Sequence, residues 1–140
     1  MTARAEDLEL PDGLDEDGLP DRALEQLAFR YGHAARVVLE LAAERGELAR
    51  PIAPGRPDLL AEAVVAARSE QARSVADVLL RRTRLGVLAA PELRSAESVL
   101  PVAEAMGPEL GWRGRRVKQE AEAWVEAARA EGVDPAGGVS

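Results

Sequence analysis

The segment from Glu70 to Leu85, EQARSVADVLLRRTRL, has a spacing of charged and apolar residues that constrains it to a helix. Arg73, Asp77 and Arg81 follow one another at intervals of four residues, so on a helix their side chains lie along one face and can pair. Ser74, three residues before Asp77, predicts a helix start within the segment. A second set at helical spacing is apolar and is predicted to be buried: Ala72, Val75, Ala76, Leu79 and Leu80.

The core of this chain has to be built almost without aromatic residues. Only four of the 140 residues are aromatic, so leucine, valine and alanine must fill the interior, which favours closely packed helices over a sheet. The length suits one domain with its own core, and the absence of cysteine excludes disulfides and cysteine-ligated metals. We predict an all-α fold of about five helices in a compact orthogonal bundle.

Glycine and proline divide the first half of the chain into helices. A helix from Asp21 to Tyr31 should end at Gly32, and one from His33 to Arg45 at Gly46, which makes a helix hairpin. The stretch 47–57 contains three prolines and a glycine, so it must be a connection. Asp58 is expected to cap the helix that follows, through about Ser69.

The second half is divided in the same way. Gly86 should end the helix of the segment 70–85, and Ser95 should start a helix that Pro101 kinks or restarts. Three residues are expected to break the chain before a last helix at 112–131: Gly107, Pro108 and Gly111.

The net charge of -7 comes from one end of the chain. Residues 1–21 hold eight acids and one base, while the remaining residues hold 17 acids and 17 bases. We therefore predict a flexible acidic linker at 1–20, a helical domain at 21–132 and a frayed tail at 133–140. A neutral domain argues against a nucleic-acid binder, including a helix-turn-helix built from the 21–45 hairpin.

Five segments, in order along the chain, resemble the C-terminal helical domain of FAD-dependent glycerol-3-phosphate dehydrogenases and the related glycerophosphate oxidases. One is the run of Glu70, Asp77 and Arg-Arg-Thr at 81–83. The others are LELPDG at 8–13, LEQLAFRYG at 24–32, AEAVVAARSE at 61–70 and ELGW at 109–112. The resemblance covers roughly residues 8–132.

The resemblance implies a non-catalytic domain that supports packing or assembly beside a flavin and substrate domain or a flavoprotein subunit. In the full enzymes that preceding domain handles FAD, glycerol 3-phosphate and hydride transfer, so no cofactor is expected in this chain. A homo-oligomer is left open, as is a free-standing helical interaction module that has lost the dehydrogenase role.

The cellular location is predicted from the same features. No apolar run approaches the ~20 residues of a membrane span, and the N-terminus has acids where a signal peptide has bases. We expect a cytoplasmic protein, and the resemblance adds that full-length family enzymes associate peripherally with membranes.

The candidate functional residues form a charged set that is either a docking surface or a structural network: Glu70, Arg73, Asp77, Arg81, Arg82 and Arg84. Internal pairing is favoured, because the acids lie within helical reach of the arginines. No catalytic, cofactor-binding or metal-binding residue is assigned.

Four other features of the sequence bear on function. Arg113, Arg115 and Arg116 oppose the dipole of the last helix, which suggests either a partner or pairing with Glu109 or Glu120. The pair Glu62 and Glu70 is too common a pattern to indicate acid-base chemistry. Trp112 and Trp124 are expected in the core, and the lone His33 is expected at a helix start.

Overall fold

The predicted hairpin of helices is present in the first of two compact units, into which the chain divides after Val65. The computed structural model describes residues 4, 6, 8–83 and 85–130. Helix α1 (Ala23–Tyr31) ends at Gly32, whose φ of 60° favours glycine. A 3-10 turn at Gly32–Ala34 then leads into α2 (Ala35–Glu44), so α2 begins two residues later than the predicted helix at His33.

The proline-rich stretch after α2 is a connection, as predicted, and it folds back on itself. A 3-10 turn at Gly46–Ala49 is followed by an isolated antiparallel bridge between Pro51 and Leu59. The Ile52 N–H donates to the Asp58 carbonyl oxygen at 2.8 Å, inside this loop. The loop thereby brings Asp58 to the start of α3 (Leu60–Ser69).

The second unit begins within α3, and its Arg-Arg-Thr segment is not one continuous helix. After α3 ends, Gln71 has a φ of 61°, and the Ala72 N–H donates to the Ala66 carbonyl oxygen at 3.0 Å. Helical structure resumes after Ser74, which confirms the predicted start, and continues as a π-helix at Asp77–Arg82.

Gly86 does not end this helix as predicted; it lies inside the one-turn helix α4 (Leu85–Leu88). The π-helix ends at Thr83, whose buried hydroxyl donates to the Val78 carbonyl oxygen at 3.0 Å. Gly86 serves a different purpose, because a Cβ there would lie 2.5 Å from Cη2 of Trp124. Only glycine leaves room for the indole.

A 3-10 turn (Ala90–Leu93) leads from α4 to a pair of long helices, α5 (Ala96–Leu110) and α6 (Arg115–Ala130), which pack against each other. Ser95 starts α5 with a capping box shared with Ser98, at N···O distances of 3.1 and 3.2 Å.

The expected restart at Pro101 does not occur, and Gly107 and Pro108 also lie inside α5. Each proline removes one backbone hydrogen bond, and both rings are exposed, while Val102 and Met106 between them are buried. Gly111 alone ends α5, with a φ of 77°.

The described residues include five α-helices of nine or more residues, and they form no β-strand beyond the single bridge. The prediction of an all-α fold of about five helices is therefore confirmed. None of the helices in the described ranges is long and apolar enough to cross a membrane.

Candidate functional site

Four polar side chains meet in the interior of the first unit, where the end of α1 faces the start of α3. Arg30 Nη1 lies 2.9 Å from Asp58 Oδ1 and also pairs with Glu62 Oε1. The Tyr31 hydroxyl donates to the same Glu62 oxygen at 3.1 Å. These residues, Arg30, Tyr31, Asp58 and Glu62, are called the Arg30 cluster below. They join segments about thirty residues apart in the chain.

Local structure places each member of the Arg30 cluster. Arg30 and Tyr31 are the last two residues of α1, and the fold-back of the connection carries Asp58 to α3. Glu62 is the third residue of α3, where its Oε2 accepts from the Leu59 N–H at 2.8 Å. This contact is half of a capping box, so Glu62 stabilises the helix start as well as the ion cluster.

Burial makes the electrostatics of the Arg30 cluster strong. The side chains of Arg30, Asp58 and Glu62 are 17%, 5% and 2% exposed. Burial raises the pKa of Glu62 above its ordinary value, although Arg30 and the Leu59 N–H oppose the shift. Burial alone would lower the pKa of Arg30, but the two carboxylates outweigh it and raise that pKa, so Arg30 stays charged.

The charged groups of the Arg30 cluster pair with one another, which indicates a structural role. Glu62 accepts from Arg30, Tyr31 and Leu59, so its oxygens already have partners. The contact to Asp58 is an ion pair whose alignment falls short of a hydrogen bond. A perturbed carboxyl group often indicates catalysis, but here the shift comes from burial within a set of mutual contacts.

Sequence reasoning missed the Arg30 cluster and considered Glu62 only with Glu70. The structure does not join those two acids: Glu70 pairs with Arg82. One signal was available, because Glu62 is the only charged residue in the run LLAEAVVAA at 59–67, all of which is buried. A lone acid in such a run needs a buried cation, and its identity could not be predicted.

The charged residues of the segment 70–85, predicted to lie along one helix face, form two separate ion pairs. Arg81 Nε lies 3.6 Å from Asp77 Oδ1, four residues away, with 72% of the arginine side chain exposed. Arg82 pairs instead with Glu70, across the break after α3, with side chains 39% and 26% exposed. Arg84 lies outside the described residues.

Arg73 does not share the helix face with Asp77 because it precedes Ser74, where the helix begins. Its backbone N–H donates to Asp77 Oδ2 at 2.8 Å, while the Asp77 N–H donates to Ser74 Oγ at 3.1 Å. Asp77 therefore acts first as part of the helix start, and only its other oxygen faces Arg81.

The basic residues at the start of α6 are mostly exposed. Arg116 Nε donates to Glu120 at 2.6 Å, and its guanidinium lies 6.0 Å from the centre of the Trp112 ring. Arg113 and Arg115 are exposed. Glu109 accepts from both Nε and Nη2 of Arg68, at 2.8 and 3.2 Å.

The two tryptophans are buried as predicted, and Trp124 Nε1 donates to the Leu93 carbonyl oxygen at 2.9 Å. His33 is exposed in the turn between α1 and α2. Within the ranges that the structure describes, no three histidine, aspartate or glutamate side chains are grouped so that they could hold a metal ion.

One cleft of the first unit, of about 280 Å³, has a lining that does not suit the pyrophosphate of a dinucleotide. It is lined by four carboxylates and one guanidinium: Glu16, Asp17, Asp21, Glu25 and Arg22. A pyrophosphate needs backbone N–H groups or cations, and an excess of carboxylates repels it.

Comparisons with known proteins agree with the resemblance in the sequence. The family described as the C-terminal domain of alpha-glycerophosphate oxidase matches residues 4–117. A probable mitochondrial glycerol-3-phosphate dehydrogenase of Dictyostelium discoideum is 37% identical over 103 residues, which is 73% of this chain and 16% of that protein.

The glycerol-3-phosphate dehydrogenase 2 of Mycobacterium tuberculosis and the glycerol-3-phosphate dehydrogenase of Mycobacterium leprae are each 32% identical over 114 residues, or 81% of this chain and 19% of each protein. The chain thus spans less than a fifth of the length of these relatives. No solved structure matches it significantly.

Proposed function

The chain belongs to the family of the C-terminal domain of alpha-glycerophosphate oxidase, and from this premise we propose that it acts as a non-catalytic helical domain of, or associated with, an FAD-dependent glycerol-3-phosphate dehydrogenase. Its role is to pack against and support the flavin and substrate domain or a flavoprotein subunit. The observation that carries the proposal is the family match over residues 4–117.

The geometry of the charged residues favours a structural role over a catalytic one. Arg30, Asp58 and Glu62, whose charged groups are largely removed from solvent, bind one another in the Arg30 cluster. In the Arg-Arg-Thr segment, Thr83 and Asp77 make backbone hydrogen bonds at the two ends of the helix. These residues hold the fold in place and leave the exposed surface for contact with a partner.

Within the predicted charge network, we assign different roles to neighbouring arginines. Arg82 binds Glu70 across the break after α3 and serves the fold. Arg81 is 72% exposed and its contact with Asp77 is long, at 3.6 Å, so it retains most of its capacity to bind carboxylates of a partner. If part of this charged set docks against a partner, we propose that Arg81 is the residue that does so.

The activity of the whole enzyme is part of the proposal. Glycerol 3-phosphate would be oxidised to dihydroxyacetone phosphate on FAD held by the partner domain, with electrons passed on to a quinone or oxygen. This chain contributes no group to that reaction. We place it in the cytoplasm, with peripheral membrane association of the complete enzyme; the Dictyostelium relative is named as mitochondrial.

Spectroscopy and activity of the purified chain test the proposal. The chain alone should be colourless and should not reduce a dye with glycerol 3-phosphate. Added to the flavoprotein portion of a family member that lacks the matching region, it should raise the thermal stability of that portion. Bound flavin in the chain alone, or no effect in trans at saturating concentration, would contradict the proposal.

A further inference from the structure

Phe29 is the most exposed large apolar side chain in the described part of the protein. It is 84% exposed, in a chain that has only four aromatic residues. The two tryptophans are buried, and Tyr31 is partly buried in the Arg30 cluster. Burying a phenylalanine side chain stabilises a protein by about 1.5–3 kcal/mol, so leaving this one in water forgoes a large contribution.

The position of Phe29 on α1 is fixed. Ala23, Leu27 and Ala28 form the buried side of α1, and Phe29 lies on the opposite side, one turn after Glu25. The next two residues, Arg30 and Tyr31, are held by Asp58 and Glu62. Rotation of α1 to bury Phe29 would break these contacts.

A cleft of about 570 Å³ lies beside Phe29. Its floor and walls include Gln26 of α1 and the Gly55–Pro57 part of the connection. Arg22, at its rim, has a φ of 66°, which is unusual for a residue other than glycine and costs about 1 kcal/mol. The surface therefore combines an exposed aromatic side chain, a concave neighbour and a strained rim residue; it is called the Phe29 surface.

We propose that the Phe29 surface docks against the flavoprotein part of a glycerol-3-phosphate dehydrogenase and that Phe29 enters an apolar pocket there. This inference rests on the proposed function and adds the surface that carries it. In the relatives, more than four-fifths of the protein lies outside the region that matches this chain, so the equivalent domain has a large neighbour to cover such a surface.

The charges around Phe29 favour a protein partner. The cleft is lined by two acids, Asp21 and Glu25, and two bases, Arg22 and Arg56, so its lining has no excess of positive charge to attract anionic lipid or nucleic acid. Arg22 pairs with Glu25 at 3.4 Å. An aromatic anchor with a mixed polar rim is the usual composition of a protein interface.

The test measures binding of the purified chain to a recombinant Mycobacterium tuberculosis glycerol-3-phosphate dehydrogenase 2 from which the region matched by this chain has been removed. Phe29→Gln keeps helix propensity and should weaken binding at least about tenfold, because aromatic anchors dominate interface energies. Phe29→Leu, which keeps an apolar side chain, should retain most of the affinity.

Val37 supplies a matched control. It is 49% exposed on α2, outside the lining of this cleft, so Val37→Gln should change the affinity less than about twofold. The thermal midpoint of Phe29→Gln should equal that of the wild type, since an 84% exposed side chain makes few internal contacts. A fall of more than about 5 °C would show that Phe29 packs within the chain and would overturn the inference.

The outcomes separate the inference from the function. If the wild-type chain binds and Phe29→Gln binds equally well, the Phe29 surface is not the interface, while the proposed function survives. If the wild-type chain does not bind at all, the proposed function fails with the inference. If sedimentation shows self-association that Phe29→Gln abolishes, the occupant is a second copy of the chain, and the assigned partner is wrong.

Discussion

Replacing Arg30 by methionine would remove the cation that Asp58 and Glu62 share while keeping most of the apolar stem. Both carboxylates would remain at 5% and 2% exposure without their guanidinium. Removing one partner of a buried ion pair typically costs about 3–5 kcal/mol, because the remaining charge is neither solvated nor compensated. With a total stability of about 5–15 kcal/mol for a domain of this size, the loss should be severe.

Urea denaturation at pH 7 and 25 °C would measure the change in the free energy of unfolding. Arg36→Met is the matched control, since Arg36 is 76% exposed and pairs with Glu40 four residues away, so its loss should cost less than about 0.5 kcal/mol. In a double variant, Glu62→Gln should recover part of the loss from Arg30→Met, because one unpaired carboxylate is removed. A cost for Arg30→Met no greater than for Arg36→Met would refute the structural role of the cluster.

Three further changes test other parts of the structure. Because burial raises the pKa of Glu62, the contribution of this group to the free energy of unfolding is fully present below its ordinary pKa and is lost as the pH rises through its folded pKa. In urea titrations, the wild type should therefore gain stability relative to Glu62→Gln as the pH falls from about 7 to about 4. A relative loss of stability would show that the pKa is shifted the other way. Gly86→Ala should lower the free energy of unfolding by about 1–3 kcal/mol, since the new Cβ would lie 2.5 Å from Trp124 and 2.9 Å from Leu80. At Gly46 a new Cβ would have no neighbour within 4 Å, so Gly46→Ala should be nearly neutral in thermal melts. Equal thermal midpoints for the two variants would contradict the packing at Gly86. Asp77→Ala should cost about 0.5–1.5 kcal/mol in denaturation, mainly through the Arg73 N–H, while Asp77→Asn keeps an acceptor and should lose less; equal losses would assign the effect to the Arg81 pair.

Local chemistry made several helix boundaries predictable. Ser74 and Ser95 start helices because their hydroxyls accept from the backbone three residues on, and Gly32 and Gly111 end helices because each adopts a positive φ. These signals involve only a few neighbouring residues. They could therefore be found in the sequence without knowledge of the fold.

Contacts between distant residues were not predictable in the same way. The pairing of Glu70 with Arg82, and of Arg30 with Glu62, depends on how the chain folds back, which helical periodicity does not encode. Gly86 was assigned to a helix end because its true constraint, the indole of Trp124, is remote in sequence. Pro101 does not restart the helix as predicted, since burial along α5 outweighs one missing hydrogen bond.

The acidic segment at the start of the chain remains a prediction. It was assigned to a flexible linker, yet Leu14 and Leu19 within it are each only 9% exposed. The many acidic residues of that segment indicated solvent exposure. The two leucines are spaced at neither a helical nor a strand period, so the sequence pattern does not show that they are buried.

Exchange of domains tests the central claim most directly. The region of Mycobacterium tuberculosis glycerol-3-phosphate dehydrogenase 2 that this chain matches would be replaced by residues 4–130 of the chain, and flavin content and glycerol 3-phosphate oxidation would be compared with the intact and the truncated enzyme. If the chain is a supporting domain of this family, the chimera should retain flavin and activity well above those of the truncated enzyme. A soluble, folded chimera no more active than the truncated enzyme would contradict the account.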